Sequence, residues 1–225
     1  MISEVEKIIN YQFKDKELLK NALTHSSYSN EETDKTSSKN NERLEFLGDA
    51  IFDAIISEYL YKLMTDVEEG RLSKLRSKVV CESSLAKCGK HLGINKYLRL
   101  GRGEENNGGR ERNSIIADAM EALIGAIFLD GGMEDARKFV LNTFEHTVEL
   151  ALAGKLNTDF KSEIQERLQA QGISEITYRL DKQKGPDHNK TFYVSLWANG
   201  NMLGIGEGQT KKEAEQNAAK AALEV

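Results

Sequence analysis

One proline occurs in the 225 residues, at Pro186, and none precedes it. A long stretch without the residue that breaks helices can run as helix after helix, and here the apolar spacing agrees. From residue 2 to about 153, "KELLKNAL", "RLEFLGDAIFDAIISEYLYKLM", "LSKLRSKVVCESSLAKCGKHLG", "NSIIADAMEALIGAIFLD" and "MEDARKFVLNTFEHTVELALA" space their apolar residues at three and four. Two segments interrupt the pattern. "SNEETDKTSSKN" is polar and turn-rich, and "GRGEENNGGRERNS" reads as a glycine- and charge-rich loop ending in Asn113 and Ser114, cap residues for the helix that follows.

After "AGKLNT" the texture changes. A helix, "DFKSEIQERLQAQG", is followed by "ITYRLDKQ", "KTFYVSLWA" and "NMLGIGEG", each with β-branched or aromatic residues at alternating positions, and then by a closing helix, "KKEAEQNAAKAALEV". The "ANGN" between the second and third runs is a hairpin signal. The expected architecture is an all-helical domain over 1–153, a linker at 154–157 and an α-β-β-β-α module over 158–225.

Composition narrows the class. With 39% hydrophobic residues the chain can build a core. Its start, "MISEVEKIIN", lacks a basic segment leading into an apolar run, and Asp118 and Glu121 interrupt the most apolar stretch. The expectation is a cytoplasmic protein with no membrane association. Cys81 and Cys88 are too few for a disulfide framework or a structural zinc site. A net charge of −5 argues mildly against nucleic acid, but binding depends on local patches rather than the sum.

The chemistry concentrates in "NERLEFLGDA", Asn41 to Ala50. At about 100° per residue, with Glu42 at zero, Glu45 falls at roughly −60° and Asp49 at roughly −20°. Leu44, Leu47, Ile51, Ala54 and Ile55 occupy the opposite side. A second pair, Asp118 and Glu121, stands three apart on a largely apolar helix. Spacing alone favours a solvated helix face. If the two helices pack acid face to acid face, however, Glu45, Asp49, Asp118 and Glu121 converge as an all-oxygen site for Mg²⁺ or Mn²⁺, the apparatus of phosphodiester hydrolysis.

In the C-terminal module Lys211 and Lys212 begin the last helix, beside its positive end, an arrangement that favours phosphate. Gln165 offers a neutral donor and acceptor, and Pro186 and His188 lie in "KGPDHNK" between two strands. Each feature alone has an ordinary explanation. In order on one small domain they match successive minor grooves of A-form RNA and the phosphates between them.

These residues carry a family resemblance. "NERLEFLGDA" resembles the ribonuclease III signature, and "LTHSSY", "LGRGEENNGGRERNSIIADAMEALIGAIFLDGG" and the module behind them are similar to bacterial members of that family in order along nearly the whole chain. The resemblance implies a homodimeric endonuclease cutting double-stranded RNA, with Mg²⁺ (Mn²⁺ as substitute) and no organic cofactor. It implies products with 5′-phosphate and 3′-hydroxyl ends and short 3′ overhangs, and roles in rRNA and mRNA processing. Residue by residue, it makes Glu45, Asp118 and Glu121 metal ligands, Asp49 and Glu121 catalytic, and Glu42 and Glu69 secondary acids. It makes Phe46 an aromatic knob at the dimer interface and Gln165, His188, Lys211 and Lys212 RNA contacts. Where related RNA-binding domains often have a further lysine, this chain has Glu215. The competing expectation is a dimeric protein that holds duplex RNA without cutting it.

Overall fold

The computed structural model describes residues 2–31, 40–156, 160–186 and 190–223. The chain divides into two compact units, Met1–Leu156 and Asn157–Val225.

The first unit is helical: α1 (Ile2–Ile9), α2 (Lys16–Ala22), α3 (Ser26–Glu31), α4 (Glu42–Leu63), α5 (Glu69–Val79), α6 (Glu82–Leu92), α7 (Arg102–Asn106), α8 (Asn113–Gly131) and α9 (Met133–Leu152). Apolar residues line every side of α8, with Ile116, Met120, Leu123, Ile124 and Ile127 all fully buried, which makes it the central helix of the unit. α4 crosses it at backbone contact. A Cβ added to Gly48 would stand 1.8 Å from the Glu121 carbonyl oxygen, and one added to Gly125 would stand 2.4 Å from that of Leu44. Glycine inside a helix costs about 1 kcal/mol relative to alanine; at Gly48 that cost is offset by an approach that no other residue permits. Phe52 on α4 meets Phe144 on α9 with ring centroids 4.6 Å apart. The C-terminal end of α8 is tied to the α1–α2 connection by Asp130, which accepts from the Tyr11 hydroxyl (2.8 Å) and from the amides of Lys14 (2.9 Å) and Asp15 (2.8 Å).

Three expectations change here. The segment "GRGEENNGGRERNS" contains α7 and a 3₁₀ turn at Gly109–Glu111, stiffened by Arg110 Nε donating to Glu105 (2.8 Å) and by the Arg112–Glu104 pair (2.9 Å). Asn113 is not a cap. It is the first residue of α8, Arg112 precedes it with extended backbone and no side-chain cap, and the Asn113 amide oxygen instead accepts from Lys90 Nζ at 2.9 Å. Leu156, placed in the linker, is 5% exposed within the first core, and its amide bonds back to the Leu150 carbonyl (3.1 Å). Of "SNEETDKTSSKN", the first three residues close α3, and 32–39 lie outside the described residues.

The second unit runs α10 (Phe160–Ala170), β1 (Ile176–Lys184), β2 (Thr191–Ala198), β3 (Asn201–Gly208), α11 (Lys211–Leu223), with an antiparallel sheet ordered β1-β2-β3. Asn199 (φ 46°) and Gly200 (φ 79°) form the two-residue turn that pairs Ala198 with Asn201, the left-handed geometry a tight hairpin needs. Ile164, Leu168, Val194, Leu196, Ala214, Ala218 and Ala219 build its core. Among the described residues no helix is long and apolar enough to cross a membrane.

Candidate active site and RNA-binding face

The crossing of α4 and α8 brings together what the sequence separates. Carboxylate oxygens of Glu45, Asp118 and Glu121 all lie within 4.8 Å of one another. Among the described residues no lysine or arginine pairs with any of them. Their titration records the crowding. Burial, then the charges of Asp49, Glu45, Asp118 and Asp53, push Glu121 up to about 8. Glu45 is raised by burial and by Asp118, Glu42 and Asp49; Asp118 is raised by burial and by Glu82, against a lowering from His25. Three half-buried carboxyls that repel one another and, among the described residues, have no lysine or arginine partner form a donor set made for a hard divalent cation. Asp49 is exposed on the same arc, outside the three-oxygen cluster but within electrostatic reach of Glu121 and Glu45.

In the second unit, Lys211 and Lys212 are exposed in the first turn of α11, and neither is in an ion pair among the described residues. That turn is fixed by a reciprocal cap. The Thr210 hydroxyl accepts from the Glu213 amide (3.1 Å), and the Glu213 carboxylate accepts from the Gln209 amide (2.7 Å). Gln165 is exposed on α10, while His188 lies outside the described residues. Glu215 pairs with Lys161 of α10 at 2.6 Å, and that ammonium sits 4.6 Å from the Tyr178 ring centroid.

Residues 15–147 match a family model described as ribonuclease-III-like, and residues 160–225 match the double-stranded RNA binding motif. A relative named "Ribonuclease 3" from Caldanaerobacter subterraneus subsp. tengcongensis is 50% identical over 223 residues, 99% of this chain and 97% of its own. The chain belongs to the ribonuclease III family. Another relative of the same name, from Clostridium perfringens, is 48% identical over 98% of this chain and 92% of its own. The solved nuclease domain of the Campylobacter jejuni ribonuclease III is similar at 44% identity and TM-score 0.60, over 65% of this chain and 97% of that one. This ribonuclease III chain is therefore an endoribonuclease acting on double-stranded RNA.

The remaining family positions are distributed unevenly over the fold. Glu42 is exposed at the start of α4, bonded to Asn40 (3.2 Å) and within electrostatic reach of Glu45. Glu69 is not brought to the cluster. It opens α5, accepts from the Ser73 hydroxyl (2.6 Å) and lines a cleft with Tyr61, which is sixteen residues, about 24 Å along α4, from Glu45. Phe46 is 81% exposed. Nearby, Leu18, Asn21, Arg43, Leu47 and Leu129 line a cleft, and Leu129 is 55% exposed. Three charged neighbours of the site escaped the sequence reading. Asp53 continues the arc of Asp49 one turn on, so its spacing was visible. His25 and Glu82 carried no such signal, because only the packed fold brings their charges to Asp118.

Proposed function

We propose that the chain hydrolyses duplex RNA with a divalent cation, Mg²⁺ with Mn²⁺ as substitute, held by Glu45, Asp118 and Glu121. The observation that carries this is the three-carboxylate cluster at the glycine crossing, with no lysine or arginine partner among the described residues. A cation bound there supplies charge stabilisation at the phosphoryl oxygens and a more acidic water. Around it the protein's groups divide the work. Asp49, at the solvent edge of the arc, orients the attacking water and takes its proton, and Glu42 adds negative charge that favours cation capture. In-line attack on phosphorus leaves a 5′-phosphate and a 3′-hydroxyl.

Two copies would serve the two strands. Phe46, largely presented to solvent near a cleft lined in part by Leu18, Leu47 and Leu129, suits a two-fold interface in which each copy's knob fills the other's cleft, and Glu69, remote from its own cluster, would serve across that boundary. The staggered cuts then give short 3′ overhangs, the form of product expected in rRNA and mRNA maturation. In the second unit Gln165 and His188 would reach the minor grooves, with Lys211 and Lys212 on the phosphates between them. Replacing both lysines with alanine should weaken duplex binding and flatten its salt dependence by about one to two in slope; an unmoved slope would remove them from the interface.

The decisive assay is cleavage of a long duplex RNA with Mg²⁺, product ends mapped. The native chain should cut and Glu121→Gln should not. Undiminished cutting by Glu121→Gln overturns the site; binding without cutting by the native chain leaves a non-cleaving RNA-binding protein.

A further inference from the structure

The sheet of the second unit has one face that its helices leave bare. Val194, Leu196 and Ala198 of β2 join the core with residues of α10 and α11, so by strand alternation Tyr193, Ser195 and Trp197 point the other way. Register supplies their neighbours on that outer face. On β1, Arg179 pairs with Ser195, Lys182 with Tyr193 and Lys184 with Thr191; on β3, Ile205 pairs with Ser195 and Met202 with Trp197. Arg179, Lys182 and Lys184 are exposed, and among the described residues none of them is in an ion pair. Met202 and Ile205 are each more than half exposed.

Cations and rings are joined on this face. The Arg179 guanidinium stands 4.5 Å from the Trp197 ring centroid, and the Lys182 ammonium stands 4.5 Å from that of Tyr193. The indole is held in place, its Nε1 donating to Ser195 Oγ (2.8 Å), which donates to Asp181 (2.9 Å). The acid at the β1 bulge is thereby engaged by a hydroxyl, and Glu207, opposite Tyr193, lies away from the cations on β3. Cations along one edge, rings in the middle and apolar side chains at the far edge suit an unpaired strand of nucleic acid: phosphates follow the cations, and bases stack on rings and on guanidinium planes. A duplex keeps its bases stacked inside and cannot use such a face. RNA is the polymer that the motif of this unit brings to it, and the cationic row ends at Lys184, where the chain enters the β1–β2 connection assigned above to a minor groove. We propose that the outer face of this sheet binds single-stranded RNA flanking a duplex, with phosphates along Arg179, Lys182 and Lys184 and bases against Trp197, Tyr193 and the apolar side chains of β3. Duplexes with an unpaired tail are then preferred to blunt ones. This rests on duplex binding by the same unit and is independent of the cation site.

The test uses the full chain in a chelator, so that nothing is cut, and two RNAs: a blunt duplex, and the same duplex with a 3′ tail of about ten uridines, within the span that one small domain covers. The native chain should bind the tailed duplex about fivefold or more tighter, the least that one base stacked on a ring contributes. The tail should also quench the fluorescence of Trp197, the chain's one tryptophan, beyond any change the blunt duplex causes. Replacing Arg179 and Lys182 together with alanine should abolish the tail's advantage and lower its share of the logarithmic salt slope by about one, with blunt-duplex affinity as the check that the module is folded. Trp197→Phe, which keeps a ring, should retain most of the preference, and Trp197→Ala should lose most of it. Equal affinity of the native chain for the two RNAs would overturn the proposal and leave this face to a protein partner. A tail preference that survives the double alanine variant would overturn it too, by placing the tail elsewhere. Binding of neither RNA would overturn it together with duplex binding itself.

Discussion

The two units differ in what they leave unanswered at their partly buried charges. In the second, the partly buried charges between α10, α11 and the sheet are answered within the fold: Lys161 meets Glu215 at 2.6 Å and the Tyr178 ring face. On the sheet, Asp181 accepts from Ser195 (2.9 Å), whose hydroxyl accepts from the Trp197 indole (2.8 Å). In the first, Glu45, Asp118 and Glu121 face chiefly one another beside the glycine crossing of α4 and α8. Unanswered buried charge opposes folding. Its persistence beside a well-packed central helix points to a charge that arrives from outside, whereas a satisfied surface says little about its ligand.

The most drastic way to break this contrast is to part the helices. Gly48→Ala would place a methyl group 1.8 Å from the Glu121 carbonyl oxygen. Neither backbone can yield without moving its helix, so a loss of about 3 kcal/mol or more is expected, at or beyond the upper end of ordinary overpacking. Urea unfolding of the full chain should show the transition of the first unit moved to lower denaturant, and cleavage should vanish. A native-like midpoint with full activity would mean that the crossing does not set the site.

A gentler perturbation is pH in the absence of metal. The Glu121 carboxyl is raised from 4.5 to about 8, by burial first and neighbouring acids second. Over that interval the folded chain holds a proton that the unfolded chain has released, so stability falls as pH rises. The contribution is fully present below about 4.5 and is lost as pH passes through about 8. Glu45 and Asp118 shift in the same direction. Denaturant midpoints in a chelator should therefore decline from about pH 5 to about pH 8, less steeply in Glu121→Gln, with Mg²⁺ restoring stability at the alkaline end. Identical slopes for the two chains would show that Glu121 is not held protonated.

Phe46→Ala probes the same helix from its exposed side. Removing an exposed ring should leave the fold of each copy intact while weakening association about tenfold or more, as expected for a central aromatic anchor. Sedimentation velocity over a dilution series reads the effect, and an unchanged dimer at the lowest concentration excludes the knob.

Much of this was legible in the residues. The period of 3.6 placed Glu42, Glu45 and Asp49 on one arc and left Phe46 off the core face; alternation marked the three strands, and Asn199-Gly200 marked their turn. A helical wheel gives directions, however, and not neighbours. Nothing in the spacing of α4 says that Gly48 touches the backbone of a residue 73 positions later, at Glu121, and that contact is what turns two acid pairs into one cluster. Local rules also misled where tertiary partners won. Turn-rich composition hid α7, which Arg110–Glu105 and Arg112–Glu104 hold in shape, and Asn113, a natural cap, was drawn away by Lys90. Glu69, a secondary acid only by the family resemblance, lies in a cleft with Tyr61 far along α4 from Glu45, a distance that the motif does not reveal.

The smallest expected effect concerns Glu215, where the second unit's balanced charge can be tipped. It lies four residues after Lys211 and three after Lys212 on α11, hence on their face of the helix, and its carboxylate pairs with Lys161. Both side chains of that pair are about one-third exposed, so breaking it should alter stability by no more than about 1 kcal/mol. Binding is the more sensitive readout. Glu215→Lys removes a negative charge from the face that Lys211 and Lys212 would turn to phosphate and adds a positive one. Duplex RNA should bind severalfold tighter at low salt, with a logarithmic salt slope steeper by about one, and the gain should fade as added salt screens the new charge. If affinity and slope both stay put, the start of α11 does not face the phosphates, and the RNA surface of this module must be sought on another side.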